Sequence, residues 1–159
     1  MGALAMNRPV PNTLQQRMDM AGGVVVDMIV KASVTIYEGA FVGVLASTPA
    51  GVYGIIQSDG QSFAGIALEK VVSTATVGAF KVRVYVGGYF QHAIGSIATA
   101  DIGKVVCASD DQTLTITTTN NVAVGRIISV PATGTAIIKM KTLGEISGAV
   151  GTTYTPGIL

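Results

Sequence analysis

Apolar and polar side chains alternate with a period of two in four separate segments of this chain. The segments span residues 30–37, 82–86, 113–117 and 138–141. Such alternation is typical of an extended strand with one buried face, because successive side chains on a strand point to opposite sides. The sequence therefore predicts an all-β fold in which helix is a minor component.

Turn residues lie between the apolar runs. The Asp-Gly pair in "SDGQ", residues 58–61, suits the positive φ angles of a tight hairpin. The stretches "SDDQ" (109–112) and "TTNN" (118–121) place Asp and Asn where loops favour them. These signals predict short strands joined by compact connections.

Glycine recurs inside apolar strands, at Gly43, Gly65 and Gly125. Glycine weakens an isolated strand, so its recurrence predicts sharp bends or close approaches between neighbouring backbones. A small closed barrel requires both. We therefore expect a small closed or nearly closed barrel of short antiparallel strands, with an extended N-terminal arm.

The chain has 159 residues and a mass of 16.2 kDa, which suits one domain with a buried core. Residues 1–23 are richer in Pro and Gln than the body that follows, and they are predicted to form the arm. The barrel is expected over 24–143 and a tail with little periodicity over 144–159. Asn12 and Gln15 resemble a capping box and predict a short helix in the arm, with a disordered arm as the alternative.

Charged residues make up only 12% of the chain, whereas domains usually carry about a quarter. Hydrophobic residues make up 49%, yet no apolar run approaches the roughly 20 residues that a spanning helix needs. The net charge of +1 gives no reason to expect nucleic acid or an anionic membrane as a partner. The N-terminus lacks the pattern of a secretory signal, so synthesis in a cytoplasm is expected. Much of the surface is therefore predicted to contact protein.

Chemically reactive side chains cluster in "ADIGKVVCASDDQTLTIT", residues 100–117. A reactive thiol needs a neighbouring cation, base or helix N-terminus, and the apolar surroundings of Cys107 predict a small buried side chain instead. Asp110 and Asp111 lack the additional oxygen ligands of a cation loop and are predicted to lie in a solvated turn. Tyr85 and Arg83 are expected to form a half-exposed strand face.

One motif resembles that of a hydrolase, "GQSFA" around Ser62. A nucleophile elbow places its serine between a strand and a helix, whereas Ser62 leads into an apolar strand. His92 is the only histidine, and metal sites rarely rest on one imidazole. The sequence therefore predicts no enzyme, no cofactor and no metal site, and a hydrolase using Ser62 is kept as a minor alternative.

A succession of stretches carries a family resemblance: "AFVGVL", "SFAGIALEKV", "VRVYVGGYFQ", "ATADIGKVVCASDDQTLTIT", "NVAVGRIISV" and "GTAIIKM". Over residues 34–140 this order resembles the small β-barrel decoration proteins, also called cement proteins, of tailed-bacteriophage heads. The resemblance implies a homotrimer on the outer surface of the capsid, where it clamps subunits of the major capsid protein and stabilises the shell. The expected location is therefore the virion.

The resemblance also implies that the N-terminal arm contacts the capsid. The candidate contact residues are Arg8, Pro9, Val10, Leu14, Arg17, Met18 and Met20. An alternative is a head fibre or a receptor- or carbohydrate-binding protein of the virion surface, which exposed aromatics around Tyr89 and Phe90 would favour.

Overall fold

A computed structural model describes residues 23–45, 50–57 and 60–143 of the chain, so the predicted arm and tail lie almost wholly outside it. Over these ranges the chain forms antiparallel β-strands and one 3-10 turn, and the predicted all-β fold is confirmed. The strands are β1 (Val24–Ile29), β2 (Thr35–Ile36), β3 (Phe41–Val44), β4 (Tyr53–Gly54), β5 (Ser62–Ala67), β6 (Val71–Val72), β7 (Lys81–Val86), β8 (Tyr89–Ala93), β9 (Val105–Ala108), β10 (Leu114–Thr115), β11 (Val122–Ala132) and β12 (Thr135–Met140). The 3-10 turn spans Thr99–Asp101. The described residues contain no helix long and apolar enough to cross a membrane.

The strands form two five-stranded sheets and one two-stranded ribbon. Sheet 1 has the order β1-β7-β5-β3-β4, sheet 2 has the order β10-β9-β11-β12-β8, and the ribbon pairs β2 with β6. Among the described residues neither sheet closes on itself, so the expected closed barrel is not formed by the hydrogen-bonded ladders. A single bridge between Ile56 and Asp110 and a hydrogen bond from the Phe41 N–H to the Asp111 carbonyl join the two sheets at one side.

The main core lies between the two sheets, and a second core covers the other face of sheet 1. Phe41 and Phe63 of sheet 1 pack with Phe90 and Ile138 of sheet 2 in the main core. Beneath the ribbon, Val42, Ala64, Val82 and Val84 pack with Ile36 in the second core. Strands β3 and β5 at the centre of sheet 1 are therefore buried on both faces, as strands between two layers must be.

This two-sided burial changes the position of Tyr85. The predicted alternation holds for Val82, Arg83 and Val84 of β7, but Tyr85 is fully buried in the main core rather than half-exposed. Its hydroxyl donates a hydrogen bond to the Tyr89 carbonyl, 3.2 Å away, so the buried polar group is satisfied. Where both faces of a strand are covered, the side chains on both faces can be apolar or aromatic, and this is the situation of β7 at Tyr85.

The predicted role of the strand glycines is confirmed. A Cβ at Gly43 would lie 2.8 Å from the Ser62 carbonyl oxygen, and one at Gly125 would lie 2.0 Å from the Lys139 carbonyl oxygen. Both glycines adjoin a register shift in their ladder. Close backbone approach at these irregularities leaves no room for a side chain.

Three local predictions about strands and turns have different outcomes. The strand predicted over residues 30–37 is wrong over most of its length, because Ser33 adopts a left-handed φ of 57° and only β2 remains. The hairpin pairing predicted around 58–61 is also wrong, since β4 and β5 pair on opposite sides of β3 rather than with each other, while Ser58 and Asp59 themselves lie outside the described residues. The turn at 109–112 does join the paired strands β9 and β10.

Candidate interaction surface

Strand β1 is an apolar edge strand exposed on both faces. Its ladder partner is β7, and at its C-terminal end the Ile29 carbonyl accepts the Val52 N–H at 2.8 Å beside a parallel bridge between Val30 and Val52. Before this point the outer edge of β1 pairs with no described strand. Val24, Val25 and Val26 are 55%, 47% and 40% exposed, and Ile29 is 46% exposed. Asp27 supplies the one charge on the strand. Proteins normally protect such edges with charges, prolines or a covering segment, and β1 has little of this protection.

A groove continues the apolar surface beside β1. It has a volume of about 530 Å³ and is lined by Met28 and Ile29 of β1 together with Val44, Val77 and Leu143. Val77 is 60% exposed, so the groove adds to the apolar area instead of covering it. Together, β1 and the groove form the edge surface, the largest run of exposed aliphatic side chains along one described strand.

The first and last described segments meet next to the edge surface. The Cα of Gly23, which precedes β1, lies 3.1 Å from the position that a Cβ on Gly88 would take. The side chain of Thr142 lies 3.2 Å from the corresponding position on Gly87. Gly23 and Thr142 therefore both lie beside the β7–β8 turn, and Leu143 lines the groove of the edge surface. The predicted arm contacts, Arg8 to Met20, lie outside the described residues.

Ser62 of the hydrolase-like motif and His92, the one histidine of the chain, lie in strands of different sheets. Ser62 begins β5 and pairs with Val44, and β5 is followed by another strand rather than by a helix. The His92 ring packs against Phe41 at 5.2 Å between ring centroids, and its Nδ1 lies 2.7 Å from the Ala93 carbonyl. The local context of Ser62 is a β-ladder, which differs from a nucleophile elbow.

Cys107 is buried in β9, as the sequence predicts. Desolvation raises the pKa of its thiol, because burial disfavours the thiolate. Within the described part of the chain, no group of three or more His, Cys, Asp or Glu side chains could hold a metal ion.

Asp110 and Asp111 are buried, and the prediction of a solvated turn is wrong. Their exposed fractions are 8% and 6%. Oδ1 of Asp110 accepts the N–H groups of Gln112 and Thr113 at 2.9 and 2.7 Å, while its Oδ2 has no hydrogen-bond partner in the described residues. The turn is buried because it packs against the edge of sheet 1, where Asp111 contacts Gly54. The carboxylates therefore order the junction between the sheets.

The aromatic cluster that would favour carbohydrate binding is divided between the two faces of β8. Phe90 is buried in the main core, where its ring centroid lies 6.0 Å from that of Phe41. Tyr89 is half-buried on the opposite face, and Nζ of Lys139 lies 4.9 Å from its ring centroid. Of the two aromatic rings, only that of Tyr89 lies on the outer face of β8, and it is partly covered by Lys139. The exposed pair of rings that would favour carbohydrate binding is therefore not formed by Tyr89 and Phe90.

Comparisons with known proteins identify no relative of this chain. No family model, no curated protein and no solved structure matches the chain.

Proposed function

We propose that this protein is a structural decoration protein of a tailed-bacteriophage head. In this proposal it is made in the host cytoplasm, assembles as a homotrimer and binds the outer surface of the capsid, where it clamps subunits of the major capsid protein. It acts by binding and has no catalytic role. The sequence resemblance supports this proposal, and so does the all-β fold of the body.

The observation that carries the proposal is the edge surface. The outer edge of β1 offers backbone N–H and C=O groups to a further strand, and its valines offer apolar contact on both faces. Strand addition of this kind gains affinity from main-chain hydrogen bonds and specificity from alternate side chains. A capsid subunit that adds a strand to β1 would cover the exposed valines.

The energy of one such contact is modest. Full burial of an aliphatic side chain contributes roughly 1.5–3 kcal/mol. Val24, Val25, Val26 and Ile29 are about half exposed, so covering them would contribute about 3–6 kcal/mol in total. Loss of translational and rotational freedom on association costs about 4–15 kcal/mol. One edge is therefore a weak site, and three edges in a trimer would bind through avidity.

The position of the chain ends is consistent with a clamp. In the described chain, Gly23 before β1 and Thr142 after β12 both lie beside the β7–β8 turn. Contacts made at the β1 edge and at this turn would therefore act on one corner of the subunit. The low charge content of the chain fits a surface that is largely covered by protein.

The proposal is tested by adding purified protein to expanded heads that lack it and measuring bound protein and the temperature at which the heads release DNA. We expect the wild type to bind as a trimer and raise the release temperature. Val25→Lys places a charge on the β1 edge and is expected to weaken binding at least tenfold, as is deletion of residues 1–23. Val72→Lys is the matched control, since Val72 is a 57% exposed valine in the ribbon, away from β1.

Two results would count against the proposal in different ways. A monomer in light scattering that fails to bind heads would exclude the decoration role. Normal head binding by Val25→Lys would be compatible with the decoration role but would exclude the β1 edge as the surface that binds the capsid.

A further inference from the structure

The outer face of sheet 2 brings together cations that are far apart in the sequence. Arg126 of β11 lies directly opposite Lys139 of β12 in the ladder register. Lys141 follows two residues after Lys139 and lines the same groove, which has a volume of about 310 Å³. We refer to this groove, with Arg126, Lys139 and Lys141 on its walls, as the cationic groove.

None of the three cations forms an ion pair within the described part of the chain. Ion pairs there join Arg83 to Glu69 and Lys104 to Asp101, and neither pair includes a cation of the groove. Like charges directly opposite each other on antiparallel strands are destabilising. The register opposition of Arg126 and Lys139 is an unfavourable arrangement of this kind, and a fold keeps such a local conflict most often where a site uses it.

Neutral groups hold two of these cations in place. Nη1 of Arg126 donates a hydrogen bond to the Gly103 carbonyl at 2.9 Å. Nζ of Lys139 donates to the Gly87 carbonyl at 2.6 Å and lies over the Tyr89 ring. These contacts fix the side chains without neutralising them. A ligand would meet positioned charges and would lose less conformational entropy on binding.

The floor of the groove is aliphatic. Val105, Ala123 and Ile128 line it between the cations, and Ile128 is 49% exposed. A phosphate ion would pair with the cations and leave this floor in water. Single-stranded nucleic acid favours aromatic platforms for its bases, and the nearest ring, Tyr89, already carries Lys139. A polypeptide segment with both carboxylates and aliphatic side chains complements the walls and the floor together.

We infer that the cationic groove between β9, β11 and β12 is a docking site for an acidic segment of a partner protein that also carries aliphatic side chains. Its carboxylates would pair with Arg126 and Lys139, and its aliphatic side chains would cover Val105 and Ile128. This site lies on the outer face of sheet 2, whereas the edge surface belongs to sheet 1, so the inference does not depend on the capsid role.

Fluorescence anisotropy with the full-length protein tests this inference. The probe is a short fluorescein-labelled peptide of alternating glutamate and leucine, and its twin has glutamine in place of glutamate. We expect the acidic peptide to bind at neutral pH and low salt, and the twin to bind at least tenfold more weakly. Arg126→Gln and Lys139→Gln should each weaken binding about fivefold, the upper range for an exposed ion pair. Arg126→Lys should retain most of the affinity.

A matched control separates the groove from general charge. Lys81→Gln removes an exposed cation from β7 of the other sheet and should leave peptide binding unchanged. Arg126→Gln should melt close to the wild-type temperature, because it loses both the like charge opposite Lys139 and an exposed hydrogen bond to the Gly103 carbonyl, so that weaker peptide binding cannot be attributed to unfolding. Equal binding of the acidic peptide and its twin, unchanged binding by Arg126→Gln, or tighter binding of oligothymidylate than of the peptide would each overturn the inference.

Discussion

Replacing Gly125 by alanine tests whether close packing between β11 and β12 sets the identity of this residue. The new Cβ would lie 2.0 Å from the Lys139 carbonyl oxygen, a backbone atom that no side-chain rotation can move. To reach the 3.4 Å at which ordinary contact begins, the strands would have to separate by about 1.4 Å. The ladder around this position would then be distorted, together with the β9 pairing on the other side of β11.

The cost can be estimated from two contributions. Overpacking a well-packed interior costs typically 1–3 kcal/mol. A weakened backbone hydrogen bond contributes roughly a further 0.5–1.5 kcal/mol. We therefore expect Gly125→Ala to lower the free energy of unfolding by about 2–4 kcal/mol. That loss is a large part of the roughly 5–15 kcal/mol available to a typical domain.

The assay is urea unfolding followed by far-ultraviolet circular dichroism, because the chain has no tryptophan. Gly95→Ala is the matched control: a Cβ at Gly95 meets no atom within 4 Å and its φ is ordinary. Its unfolding free energy should stay within about 0.5 kcal/mol of the wild type. If Gly125→Ala is as stable as Gly95→Ala, close approach does not explain the glycine in β11.

Three further predictions concern the hairpin between β9 and β10. Asp110→Ala removes the acceptor of two N–H groups and should lower the unfolding free energy by about 1–3 kcal/mol. Asp110→Asn keeps an acceptor oxygen and should lower the unfolding free energy less. Equal losses for the two variants in urea titrations would refute this explanation. Cys107 should react with a thiol reagent far more slowly in the folded protein than in urea, and rapid labelling of folded protein would contradict its burial. Burial raises the pKa of the Cys107 thiol, so the protonated thiol is favoured in the folded state. The stability that Cys107 contributes should therefore be complete below the ordinary thiol pKa of about 8.5 and decrease as the pH rises above it. Unfolding free energies measured at increasing pH test this.

The sequence predicted those strands whose surroundings match the simple pattern of one buried and one exposed face. In β12, Ile138 and Met140 are buried while Lys139 is half-exposed, as the alternation requires. Tyr85 departs from the pattern because the main core covers the face of β7 at Tyr85, whereas the same face is exposed at Arg83. The sequence of one strand does not contain the information that a second layer covers its other face.

Long-range packing also explains the missed residues. Asp110 and Asp111 resemble residues of a surface turn, and they are buried only because this turn meets the edge of sheet 1. The cationic groove depends on the register of β11 against β12, which places residues 126 and 139 opposite each other. The grouping of these cations on one face of sheet 2 therefore cannot be seen in the sequence alone. It appears only once the pairing of β11 with β12 is known.

The meeting of both described ends at the β7–β8 turn has a mechanical consequence. Gly23 adjoins Gly88 and Thr142 adjoins Gly87, so a pull applied between residues 23 and 142 would act across one corner of the body. Such a load would not pass through the two cores, which lie on either side of sheet 1. In the proposed clamp, tension from an expanding shell would therefore be carried by the attachments at this corner while the body between the sheets stays unstrained.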